Sequence, residues 1–162
     1  MEQKPQMVID HPNRDKAESK ATKAIVLLLL LVSVGLIMIV TIGGWEALEG
    51  AKMLQIVYAL IYLIMAFYIA RWNRGLLPVA SAAAIILLIF AAVAGPAWFD
   101  RDKDGFTDPA LSAGVLGLLC FVLVALQAAL IIVVMIAFRQ QWNVEVERRS
   151  ERRDPEPEPA AA

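Results

Sequence analysis

Four long runs of apolar residues, separated by short polar segments, dominate the pattern of this 162-residue chain. Each run is close to the roughly 20 residues that a helix needs to cross the ~30 Å hydrocarbon core of a bilayer. The runs do not alternate between apolar and polar positions, and in lipid a backbone is satisfied only as a helix or in a closed barrel. The sequence therefore predicts four transmembrane helices, at about residues 24–43, 52–71, 76–96 and 110–138.

Polar tails flank this transmembrane domain of residues 24–138. Residues 1–23 form the N-terminal tail, and residues 139–162 form a charged tail that ends in P-E-P-E-P and A-A-A. Such a Pro-Glu composition favours extended polyproline geometry and resists packing, so we expect the C-terminal tail to be disordered. Asp108-Pro109 predicts the start of the last span, because Asp caps helix amides and Pro fits the first helical position.

The distribution of Lys and Arg predicts the orientation of the helices, because positively charged loops stay in the cytoplasm. Of the 15 Lys and Arg residues, five lie in each terminal tail and two lie between the second and third spans, whereas the other two connections hold one and two. We therefore expect an all-α, up-down bundle of four helices in the plasma membrane, with both termini in the cytoplasm.

One tryptophan follows the exit end of each span. Tryptophan favours the membrane interface, where its ring is buried while its N–H is solvated. We therefore interpret all four as interface anchors: Trp45, Trp72, Trp98 and Trp142.

Small residues spaced four apart predict a contact between the third and fourth spans. The pairs are Ala91 with Gly95 and Ala113 with Gly117. Small side chains let helix backbones approach closely in lipid, where apolar burial gives no driving force for association. We expect these two faces to meet near the outer leaflet.

The interiors of the spans contain few polar side chains and none with a charge. Gln55, Tyr58 and Tyr62 share one face of the second span, and Gln127 lies within the fourth. Two interpretations stay open: hydrogen bonds between helices, and a polar lining for a small hydrophobic ligand such as a quinone or a lipid. The lack of charged groups argues against a self-contained proton-coupled transporter.

The other polar residues give no sign of catalysis. The chain has one His and one Cys, which cannot build the usual His/Cys zinc site. No nucleophile with a neighbouring base and no phosphate-binding loop is present, so we expect no enzymatic activity. The basic residues are explained as topology signals, and nothing in the sequence indicates nucleic-acid binding.

The stretch D-R-D-K-D-G-F-T-D, residues 100–108, has acidic residues at alternate positions followed by a glycine. It resembles the EF-hand-like calcium loops of dockerin modules and thrombospondin type 3 repeats, over these nine residues alone. The resemblance implies calcium as a cofactor, with these ligands: Asp100, Asp102, Asp104, the Phe106 carbonyl and Asp108.

Two interpretations of this loop stay open. Leu111 stands where the twelfth position should supply a bidentate acid, so a calcium site here would be weak, in the ~10⁻⁴–10⁻³ M range of extracellular modules. A structural turn is the alternative, because Asp-Gly is a turn-forming pair.

Together these features predict a non-catalytic integral membrane protein that is an accessory or assembly subunit of a larger membrane complex. Its expected partners are the lipid bilayer and other membrane proteins or further copies of itself. A small oligomeric pore or a carrier of a hydrophobic ligand is one alternative. A calcium-responsive membrane sensor that acts through residues 100–108 is the other.

Overall fold

The chain folds into four long helices with a small two-stranded sheet at one end. The computed structural model describes residues 7–101 and 109–149, with the backbone alone for residues 7, 8, 148 and 149. Its elements, in chain order, are β1 (Met7–Asp10), α1 (Pro12–Asp15), α2 (Ala17–Gly43), α3 (Ala51–Ala70), α4 (Leu76–Asp100), α5 (Ala113–Arg139) and β2 (Val146–Arg149). The helices α2, α3, α4 and α5 are each long and apolar enough to cross a membrane, which confirms the predicted all-α fold with four spans.

These four helices are apolar on their outward faces as well as on the faces they turn toward one another. About a third of each apolar segment is buried inside the protein. A helix at the surface of a soluble bundle would carry polar residues on the remaining face, whereas here that face is aliphatic. Leu28, Leu60, Ile89 and Ile132, one on each helix, are all more than half exposed. The protein is therefore a multi-pass integral membrane protein.

The helices form a ring in the order α3, α2, α5, α4. Residues 44–50 join α2 to α3 and residues 71–75 join α3 to α4, and connections of this length join neighbouring, antiparallel helices. α4 packs along α5, and α2 packs against both α3 and α5, whereas α3 and α4 contact each other little. The ring therefore has an open seam between α3 and α4.

Both ends of the described chain meet at one end of the bundle, which we call the termini end. There β1 pairs antiparallel with β2. Asn13 Nδ2 donates a hydrogen bond to the Gln141 carbonyl at 3.0 Å, and Arg14 Nε donates one to the Trp142 carbonyl at 3.1 Å. Residues 140–149 are therefore ordered, in contrast to the disordered tail that the sequence predicts, because the N-terminal segment satisfies their backbone groups. Residues 150–162 lie outside the described part of the chain.

The opposite end of the bundle, which we call the loop end, holds residues 44–50 and the start of α5. α5 begins at Ala113, so the predicted start at Asp108-Pro109 was wrong. The Leu111 N–H donates to the Gly43 carbonyl at 3.0 Å, and the Leu111 side chain packs directly against Gly43. This segment is therefore held against the end of α2 and does not join the helix.

Two other helix ends extend beyond the predicted spans. α2 begins at Ala17, before residue 24. Hydropathy does not include its first two turns because they are polar and lie outside the hydrophobic run. α4 continues to Asp100, past residue 96, and contains Pro96 within the helix. Hydropathy identifies only the apolar part of a helix, and these polar or proline-containing turns lie outside that part.

Candidate functional site

A buried network of hydrogen bonds joins three helices in the middle of the bundle. Gln127 of α5 donates through Nε2 to the Ser33 hydroxyl of α2 at 2.9 Å. The Tyr62 hydroxyl of α3 donates to Gln127 Oε1 at 2.8 Å, and Ser33 in turn donates to the Leu29 carbonyl at 2.7 Å. The side chains of Ser33, Tyr62 and Gln127 are fully buried. Tyr62 and Gln127 therefore bond to each other, and neither lines the cavity described below.

A second group of polar contacts lies between this network and the loop end. The Thr41 hydroxyl, on α2, is within hydrogen-bonding distance of both the Ile37 carbonyl and the Gln55 side-chain oxygen. The Tyr58 hydroxyl donates to the Ala83 carbonyl of α4 at 3.2 Å. Gln55 and Tyr58 are only partly buried, and both face a cavity.

This cavity, of about 220 Å³, lies at the loop-end half of the bundle and is lined by all four long helices. Apart from Gln55 and Tyr58, its walls consist of aliphatic and aromatic side chains and Cys120. Protein interiors are ordinarily packed with few voids larger than a water molecule. The cavity is larger than such a void, and it lies beside the weak contact between α3 and α4.

The cavity is covered toward the loop end and open at its side. Leu48, from the connection between α2 and α3, and Trp98 of α4 both line it. Arg101 Nη1 donates to the Ala47 carbonyl at 3.1 Å, which holds that connection in place. Leu54 of α3 and Phe90 of α4 also line the cavity, yet they are 47% and 48% exposed on the outer surface. The mouth of the cavity therefore lies between α3 and α4 and faces the surrounding bilayer.

The small residues predicted as a packing face lie where α4 meets α5. A Cβ atom added to Gly117 would lie 3.0 Å from the Gly95 carbonyl oxygen and 2.9 Å from the Phe99 ring. A Cβ atom at Gly95 would lie 3.1 Å from the ring of Phe121. Ala91 and Ala113 are buried as well, and Ala91 also lines the cavity.

The four tryptophans differ in their surroundings. Trp45 is 43% exposed, and the Lys52 ammonium lies 4.7 Å from its ring centroid. Trp98 is buried, because it shares the inward face of α4 with Gly95, and it lies in the last turn of that helix.

At the termini end, Trp142 is fully buried. Its ring packs edge-on against Trp72, with 5.2 Å between centroids, and the Lys23 ammonium lies 3.8 Å from the Trp72 ring centroid. The chain reverses direction just before Trp142, where Gln141 adopts a positive φ of 49°. This reversal, which the sequence does not signal, turns the Trp142 side chain toward the bundle, and its role as an interface anchor stays a prediction.

The calcium loop that the sequence predicts falls mostly on residues that the structure does not describe. Asp100 is the last residue of α4 and is exposed, whereas Asp102, Asp104, Phe106 and Asp108 lie outside the described residues. Within residues 7–101 and 109–149, no group of three or more His, Cys, Asp or Glu side chains could hold a metal ion. The calcium site stays a prediction.

The residues that sequence reasoning missed are those whose importance comes from their neighbours. Leu54, Phe90 and Ala94 line the cavity, but an apolar residue in a transmembrane helix has no sequence signal that separates a cavity wall from a lipid-facing position. Ser33 and Thr41 could be identified as polar residues in a span, but their bonding partners could not.

Comparison of the chain with protein-family models, with curated proteins and with solved structures found no match.

Proposed function

We propose that the protein is a non-catalytic subunit or assembly factor of a larger complex in the plasma membrane, with both termini in the cytoplasm. The observation that carries this proposal is that the polar side chains within the spans form hydrogen bonds between the helices. Tyr62, Gln127 and Ser33 bond to one another across three helices, and Tyr58 bonds to the backbone of a neighbouring helix. Side chains arranged in this way fix a bundle in one conformation, as a scaffold requires.

The same network makes a pore within one copy of the chain a poorer explanation. The side chains of Tyr62 and Gln127 cross the centre of the ring and are fully buried there. A path for ions or water along the bundle axis would have to displace this pair. Function through contacts made by the outer faces of the helices requires no such rearrangement.

Those outer faces give the chain a large surface for other membrane helices. All four long helices turn aliphatic and aromatic side chains outward. Helices associate in lipid through close packing and hydrogen bonds, so a partner helix would bind to part of this surface in place of lipid. A complex in which the chain is a subunit would therefore cover one side of the ring and leave the others in contact with lipid.

Photocrosslinking from one position on each helix tests this proposal in native membranes. A photoreactive amino acid is introduced in turn at Leu28, Leu60, Ile89 and Ile132, each exposed on a different helix. We expect a protein adduct of defined mass from one helix or from two neighbouring helices. The four positions serve as controls for one another, because non-specific collisions would give equal adducts from all of them. Equal adducts, or lipid adducts alone from all four positions, would contradict a subunit role.

A further inference from the structure

We infer that the cavity between α3 and α4 binds a segment of one acyl chain of a membrane phospholipid, with the ester carbonyl next to the chain hydrogen-bonded to the Gln55 amide. The proposal concerns a lipid site and does not depend on the subunit role proposed above. It rests on three observations: the position of the mouth of the cavity, its apolar walls, and the geometry at Gln55.

The mouth decides which molecules can enter the cavity. Leu54 and Phe90 flank it on α3 and α4 and face the outer surface of the bundle. The connection that carries Leu48 covers the cavity toward the loop end. A ligand therefore enters from the hydrocarbon region of the bilayer, which consists mainly of phospholipid acyl chains.

The walls suit an aliphatic chain. Apart from Gln55 and Tyr58, the lining consists of aliphatic and aromatic side chains and Cys120. An apolar cavity of ~150 Å³ in a protein core stays free of water and takes up a small apolar molecule. The present cavity, of about 220 Å³, has room for a segment of an acyl chain, and the rest of the chain would extend through the mouth.

Gln55 supplies a hydrogen bond at the depth where a phospholipid carries its ester groups. Gln55 lies one turn from the start of α3 at Ala51, about 6 Å along the helix axis at ~1.5 Å per residue. Helical side chains lean toward the N-terminus of their helix, so its amide points back toward the membrane interface. That is the boundary between hydrocarbon and headgroups.

The Gln55 amide has a donor to offer there. A primary amide carries two N–H donors. The amide contacts the Thr41 hydroxyl, whose single hydrogen also meets the Ile37 carbonyl, so this contact takes up the amide oxygen or one of the two N–H groups and leaves the other N–H. None of the other hydrogen bonds found in the described parts of the chain uses the amide nitrogen. The Tyr58 hydroxyl, deeper in the cavity, already donates to Ala83. A carbonyl at the head of an acyl chain would accept the hydrogen bond from Gln55 while the methylene groups lie along the apolar wall.

Photolabelling in vesicles tests this assignment with a phospholipid as the probe. The full-length chain is reconstituted in phosphatidylcholine vesicles that contain a trace of phosphatidylcholine with a diazirine on one acyl chain near the ester. After irradiation, mass spectrometry maps the adducts. We expect adducts on residues that line the cavity and are buried, such as Ala91 and Cys120. Adducts confined to outward-facing residues such as Val93 would overturn the proposal, because they report lipid around the protein.

A pair of matched variants separates the cavity from the general lipid surface. Ala94→Phe places a ring in the cavity, whereas Ala92→Phe places the same ring on the exposed face of α4. We expect the buried adducts to be lost in Ala94→Phe and kept in Ala92→Phe. Equal labelling in both variants would overturn the proposal. If Ala94→Phe does not fold, Ala51→Phe fills the cavity from α3 and is judged by the same criterion.

A Gln55→Leu variant and an unlabelled competitor test which kind of molecule supplies the carbonyl group that binds Gln55. Gln55→Leu removes the hydrogen-bond donor and replaces it with an apolar side chain of similar size. We therefore expect the adducts to weaken or to spread to deeper residues. An isoprenoid quinone also carries a carbonyl on an aliphatic body. If unlabelled quinone removes the adducts at a concentration at which unlabelled phosphatidylcholine has no effect, the assignment to a phospholipid is wrong and the site belongs to a quinone.

Discussion

Gln127 uses both ends of its side-chain amide to join two other helices. Its nitrogen bonds to Ser33 on α2 and its oxygen accepts from Tyr62 on α3. Inside a bilayer such a chain of hydrogen bonds is shielded from water, so its members polarise one another and have few competing partners. At this position a leucine would pack with similar volume but would leave the Tyr62 hydroxyl buried without an acceptor.

Replacement of Gln127 by leucine should therefore destabilise the bundle. We expect Gln127→Leu to lower the free energy of unfolding by about 2–4 kcal/mol, from two interhelical hydrogen bonds of ~0.6 kcal/mol each on average plus ~1–3 kcal/mol for a buried unpaired hydroxyl. Unfolding by a denaturing detergent in mixed micelles, followed by circular dichroism, measures this change.

A double-mutant cycle with Tyr62→Phe tests whether the two residues act as a pair. Tyr62→Phe removes the hydroxyl that Gln127→Leu leaves without a partner. The double variant should therefore lose less stability than the sum of the two single variants, because bonded groups couple in such cycles. Strictly additive losses would show that the observed 2.8 Å contact does not contribute to stability.

At this scale, the sequence identified the participants but not their pairing. Gln127 and Tyr62 stand out because polar side chains are rare in the spans, and either hydrogen bonds or a ligand lining would explain them equally well from composition. The two residues are 65 positions apart, and their contact depends on the rotation of α3 and α5 about their axes. Packing of all four helices sets that rotation, and no local pattern encodes it.

The helices α4 and α5 pack closely where they cross near the loop end. Gly117 lies against the Gly95 carbonyl and the Phe99 ring, leaving no room for a methyl group without movement of the α4 backbone. Apart from its chain neighbours and the backbone of its own helix, Gly35 in α2 has nothing within 4 Å of where its Cβ would lie. The chain therefore contains two helical glycines with opposite surroundings, and they form a natural matched pair.

Alanine substitution at these two glycines should have opposite effects. Gly117→Ala should destabilise the bundle by about 1–3 kcal/mol, the usual cost of adding volume to a packed contact. Gly35→Ala should be neutral or stabilising by up to about 1 kcal/mol, since alanine favours helix more than glycine does. Detergent unfolding of the two variants beside the natural protein measures both effects. A Gly117→Ala variant as stable as Gly35→Ala would contradict the close α4–α5 contact.

Helices were easier to predict than their ends or the gaps between them. Uncharged runs locate α2 to α5 because the bilayer imposes both the length and the helical state of a span. The start of α5 depends instead on the contact of Leu111 with Gly43, and the order in residues 140–149 depends on pairing with β1. The cavity lies beside the weak contact between α3 and α4, and a sequence does not record where packing is incomplete.

The two ends of the whole bundle are built differently. At the termini end, β1 and β2 pair, and Lys23, Trp72 and Trp142 stack on one another, so this end is closed. At the loop end, α3 and α4 separate around the cavity. A bundle of this kind can admit a ligand through one leaflet while its other half remains fixed. Which leaflet contains the cavity then depends on the orientation of the chain in the membrane.

The orientation that the Lys and Arg distribution predicts places the termini end in the cytoplasm and the cavity in the outer leaflet. Lys16 and Glu46 are exposed near opposite ends of the bundle, and Cys120, the one cysteine of the sequence, is buried. A membrane-impermeant maleimide should therefore label the Glu46→Cys variant in intact cells and should label the Lys16→Cys variant only after permeabilisation. The natural protein is the control for labelling of Cys120. The reverse pattern would move the cavity to the inner leaflet, and labelling of neither variant in intact cells would contradict residence in the plasma membrane.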